Sequence, residues 1–66
     1  MTKAIYRNKR NEHKFLEVVT YDPGHVYMVQ FMRWDNGIVN RVGDNRRHRV
    51  SRDTLSSILE DYEEVA

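Results

Sequence analysis

Apolar and polar positions alternate through the first two thirds of the chain and then fall into a helical rhythm near its end. Ala4-Ile5-Tyr6 is a short β-favouring run, and the polar, aperiodic residues 7–12 that follow it read as a hairpin loop. Residues 14–21 (KFLEVVTY) place Phe15, Val19 and Tyr21 on one side of a strand and Leu16 and Val18 on the other. Asp22-Pro23-Gly24 predicts a turn, because proline fixes φ and glycine tolerates unusual φ. Residues 25–35 are the most apolar run and predict a central strand, with only Gln30 and Arg33 polar in its interior. Asn36-Gly37 predicts a tight type I′ turn that pairs residues 31–35 with residues 38–42. Gly43-Asp44-Asn45 then breaks the pattern, and residues 46–50 fit either a short fifth strand or an ordered basic loop.

Ser51 is placed to cap a helix, its hydroxyl accepting from a free backbone N–H, and Asp53 suits the positive end of the helix dipole. A helix is predicted over residues 52–64. Leu55, Ile58, Leu59, Tyr62 and Val65 form the stripe that would pack on the sheet. The expected fold is therefore α+β: an antiparallel meander of four or five strands with one C-terminal helix on one face. Curling into a small SH3-like barrel is the alternative.

Thirteen helical residues cover one sheet face, yet the central strand offers two apolar sets. Tyr27, Val29 and Phe31 form one, and Val26, Met28, Met32 and Trp34 the other. The first is assigned to the helix together with Ile5, Leu16 and Val18, because Gln30 interrupts the second. The second set is then left to be closed by curling, by a partner chain or by a ligand.

At 66 residues the chain has room for one small domain spanning 1–66. The absence of cysteine excludes disulfides and cysteine-ligated zinc. No apolar run is long enough for a membrane span and no secretory signal is evident, so a cytoplasmic location is expected.

The net charge of +1 conceals a strong asymmetry. All eleven Lys and Arg lie in residues 1–52, against five acids; residues 53–66 carry five acids and no base. Arg41, Arg46, Arg47, Arg49 and Arg52 fall within twelve residues and lead into the predicted helix N-terminus. Guanidinium groups there, with Arg33, would suit phosphate or carboxylate. The arginines would otherwise pair with the acidic helix or lie in water. Glu60, Asp61, Glu63 and Glu64 crowd the negative end of that helix, an arrangement that costs energy unless a base or a partner lies near.

Trp34 beside Arg33, with Met28 and Met32 on the same face, is of the kind on which single-stranded bases stack, although a Trp before a turn also serves as a core lid. His13, His25 and His48 lack metal-ligand spacing, and no metal or other cofactor is expected. Ser51 is accounted for as a cap, Ser56 and Ser57 lie on the polar side of the helix, and no acid–base pair stands out, so no enzyme is expected. The sequence reads as a noncatalytic protein-binding or adaptor module that meets another protein, or a second copy of itself, through Met28, Gln30, Met32 and Trp34 or through its acidic helix. The alternative is nucleic-acid binding through Arg33, Arg41, Arg46, Arg47, Arg49 and Arg52.

Overall fold

The computed structural model describes residues 1–41 and 47–66. It is an α+β domain with elements β1 (Thr2–Asn8), β2 (Lys14–Asp22), β3 (His25–Arg33), β4 (Val39–Arg41), β5 (His48–Arg49), α1 (Arg52–Leu59) and β6 (Tyr62–Glu64). All pairings are antiparallel, and the sheet runs β4-β3-β2-β1-β6, with β5 on the same edge of β3 as β4. The sheet is open, so the barrel alternative does not apply.

The long meander follows from β-branched and aromatic residues bounded by side-chain-stabilised turns. Asn8 Oδ1 accepts from the backbone N–H groups of Arg10 and Asn11 beyond β1. Asp22 Oδ1 accepts from Gly24 N between β2 and β3. β1 extends past the predicted run to Asn8, so Arg7 is a strand residue and not part of a loop.

The β3–β4 hairpin forms where Asn-Gly predicts it, but one residue out of register. Trp34 O accepts from Gly37 N and Ile38 O from Trp34 N, leaving a three-residue loop. Within this loop only Gly37 takes positive φ, at 87°, which is the type I turn followed by a glycine bulge and not type I′. β4 consequently pairs Arg33 with Val39 and Phe31 with Arg41. The predicted break at Gly43-Asp44-Asn45 lies outside the described residues.

The register corrects the assignment of faces. Leu16 lies opposite Gln30, Val18 opposite Met28 and Thr20 opposite Val26. Leu16 and Val18 therefore share their side with Val26 and Met28, and not with Val29 and Phe31. Leu16, Val18, Val26 and Tyr62 form the core under the helix, joined by Tyr6, Met28, Val50, Leu55, Ile58 and Leu59. Ile5 falls on the other side, opposite Glu17. There Phe15, Val19, Val29 and Phe31 are buried as well, and the Phe15 and Phe31 rings stack at 5.3 Å. Gln30 lies on the covered side, opposite Leu16, and is only half-buried there, so one polar position in the strand does not mark the open side.

The helix is shorter than its periodicity predicts. Ser51 caps it as expected, accepting from Thr54 N. After Leu59 the chain turns and returns as β6, whose Tyr62, Glu63 and Glu64 pair with Asn8, Arg7 and Tyr6. Val65 is exposed and belongs to no helical stripe; its N–H donates to Ile5 O.

Candidate functional site

Of the four residues expected to form an open apolar surface, Met28 packs into the core beneath the helix and Gln30 and Met32 are half-buried. Trp34 is 41% exposed, with its indole tilted against the His13 ring at 5.1 Å. The side carrying Met28 is thus the side that the helix covers, while Trp34, one residue past the end of β3, lines a cleft with Phe15 and Arg33 of the other side.

The arginines separate into three places. Arg49 Nη2 donates to Gly24 O and Arg52 Nε to Pro23 O, so both grip the β2–β3 turn. Arg47 Nη2 donates to Glu17 Oε1 at 3.2 Å. Arg33 stands at the far end of β3, where β4 brings Arg41 into register with Phe31. Arg46 lies outside the described residues. The segment containing Arg47, Arg49 and Arg52 thus bonds to Glu17 and to a turn, while the C-terminal acid Glu63 pairs with Arg7 at 2.8 Å.

Two basic residues that the sequence pattern does not single out join this set. Lys3 and Arg7 occupy alternate positions of β1 opposite Val19 and Phe15, on the side away from the helix. By the same two-residue period Arg33 and Arg49 lie on that side with Phe31 and Tyr27, and Arg47 reaches onto it through Glu17. The signal is present at positions 3, 5 and 7, but it is readable only when β1 is taken as a full-length strand. Glu17 is 6% exposed and its carboxylate also meets Lys3 Nζ at 3.4 Å. The sheet side opposite the helix therefore carries Lys3, Arg7, Arg33, Arg47 and Arg49, of which Lys3 and Arg47 pair with the buried Glu17 carboxylate and Arg7 with Glu63 at the β6 edge.

At the β2–β3 turn, Asp22 is held below the usual carboxylate range, first by the hydrogen bond with His25 and then by the Gly24 N–H. A depressed folded-state pKa contributes stability above the unfolded value, about pH 4, that is lost as pH falls through the folded value. Tyr6 is pushed upward by burial and then by the charge of Glu64. Its contribution is complete below about pH 10 and is lost as pH rises through the raised folded value.

Among the described residues no group of three His, Asp or Glu side chains converges as a metal site. His13 precedes β2, His25 begins β3 and His48 lies in β5 opposite Met28. No helix in the described residues is long and apolar enough to cross a membrane. Comparisons with protein-family models, curated proteins and solved structures find nothing that matches this chain.

Proposed function

We propose that this chain is a noncatalytic nucleic-acid-binding module that uses the sheet side away from its helix. The observation that carries the reading is the gathering of Lys3, Arg7, Arg33, Arg47 and Arg49 on that one side, while Asp53, Glu60 and Asp61 belong to the helix and the turn that ends it. Cations spaced along strands suit a phosphate backbone, which supplies most of the affinity in such complexes and makes it salt-dependent. Arg33 and Arg49 are exposed, and each guanidinium has donors to spare beyond its bonds to the protein.

The test is a titration of labelled single- and double-stranded oligonucleotides at about 50 and about 200 mM salt. Binding is expected at low salt, falling steeply at high salt. Replacing Arg33 and Arg49 together with Gln should weaken it for every sequence and reduce the logarithmic salt slope by about one for each phosphate no longer neutralised. Absence of binding at low salt would overturn the proposal.

One observation favours a second reading, in which the module docks another protein. Trp34, Ile38 and Val39 are exposed together on the β3–β4 hairpin, beside Arg33, and aromatic and arginine side chains are common anchors of protein interfaces. Ile38→Asp should then abolish capture of a nuclease-resistant partner and leave oligonucleotide binding intact.

A further inference from the structure

A cleft of about 320 Å³ opens where the β3–β4 hairpin meets the β1–β2 loop, with Phe15, His13 and Trp34 in its wall and Arg7 and Arg33 beside them. Part of its aromatic wall is held by bonds within the protein. His13 O accepts from Arg33 N at 2.8 Å, and His13 Nδ1 lies 3.2 Å from Arg33 O, so the imidazole is anchored to the β3 backbone. The indole rests on that imidazole and keeps a substantial part of its surface in solvent. Prior ordering of this kind lowers the cost of stacking a flat ligand.

The charges around the cleft are mixed. Arg7 and Arg33 supply donors, whereas the carboxylates of Glu12 and Asp35, 3.6 and 3.9 Å from the His13 ring nitrogens, supply acceptors. A duplex stacks its bases on one another and so offers the indole no base face except at its ends, and its outward phosphates would meet the carboxylates as repulsion. An unpaired nucleotide differs: it is anionic at the phosphate, flat and polarizable at the base, and carries free N–H donors on the base edge. The cleft is also at the small end of the range for ligand pockets, consistent with one base and not an extended ligand.

We propose that this cleft takes one unpaired base of a single strand, stacked on Trp34, with Arg33 and Arg7 toward its phosphates. The inference rests on the nucleic-acid reading above and adds to it a preference for single strands. Because Trp34 is the only tryptophan, its fluorescence reports on the cleft directly.

The experiment titrates the full chain with labelled single strands of about ten nucleotides, one RNA and one DNA, and with the matching duplexes, following label anisotropy and indole emission together. Single strands are expected to bind more tightly than duplexes and to quench Trp34 along the same isotherm; the chemistry that quenches more strongly identifies RNA or DNA as the preferred source. Trp34→Ala should lose about tenfold in single-strand affinity with little change for duplex, and Trp34→Phe should recover most of the loss. Anisotropy that reports arginine-dependent binding while indole emission stays constant would overturn the cleft and leave the basic side standing. So would an equal effect of Trp34→Ala on both kinds of strand. No binding of any strand removes the basic side and the cleft together.

Discussion

Glu17 occupies β2 between Ile5 of β1 and Val29 of β3, in a position that strand alternation makes look like an ordinary outward-facing polar residue. It is nonetheless buried, held by Lys3 and Arg47, whose side chains are each about half exposed. The carboxylate thus bears the desolvation while the two cations remain partly hydrated, so losing the partners of Glu17 costs more than losing an exposed ion pair. Arg47 also leads into β5, so its bond to Glu17 ties a distant segment to the middle of the sheet. Glu17→Ala is expected to cost about 1–3 kcal/mol in urea unfolding and to speed amide exchange at Val50, whose N–H donates to Val26 O. Glu17→Gln, which keeps an acceptor, should cost less. An unchanged urea midpoint in both variants would show that the carboxylate is not a tether. Its partners lie fourteen residues before it and thirty after, which is why local pattern reading passes over it.

The C-terminal elements show where local signals stop being decisive. Ser51 and Asp53 mark the start of α1 because capping joins near neighbours, and the meander is legible because alternation and turn chemistry are local as well. The end of α1 is different. Leu55, Ile58, Leu59 and Tyr62 satisfy a helical stripe, yet Tyr62 is buried equally well from a strand, and the choice is made by the unpaired edge of β1. Acids beyond Leu59 penalise further helix, and the strand places Glu63 against Arg7. The candidate site divides in the same way. Arg33, Arg49, Arg52 and Trp34 stand out in the sequence, whereas Lys3, Arg7 and His13 become relevant only through pairings made across the sheet. If β6 is an integral strand, Tyr62→Ala should cost about 3 kcal/mol by emptying part of the helix-side core. Ser51→Ala should cost only about 1 kcal/mol, the usual loss of a cap. Equal urea midpoints for the two variants would contradict the anchoring role of β6.

Over the whole molecule, the two sides of the sheet are closed by different means. The helix covers Leu16, Val18 and Val26, while on the other side Phe15, Val19, Val29 and Phe31 are buried with no helix of the described residues above them. Lys3 and Arg7 lie directly across from Val19 and Phe15, close enough for their aliphatic stems to lie on the apolar floor while their heads stay in water. Stems lying there would meet part of the expected shortage of cover, so that the surface proposed to take a polyanion would also shield the core. The two roles are separable by substitution. Lys3→Met with Arg7→Met keeps long apolar stems and removes both charges; the pair is expected to lose about 1 kcal/mol of urea stability, the share of Lys3 in holding Glu17, while oligonucleotide affinity falls and its salt slope flattens. Lys3→Ala with Arg7→Ala loses the same charges and also the stems, and should cost at least about 1 kcal/mol more, at low and high salt alike, because packing, unlike charge, is not screened. If the Met and Ala pairs are equally stable, the stems cover nothing. If instead the Met pair binds oligonucleotides as tightly as the unaltered chain, Lys3 and Arg7 do not touch phosphate, and the basic side contracts to Arg33, Arg47 and Arg49.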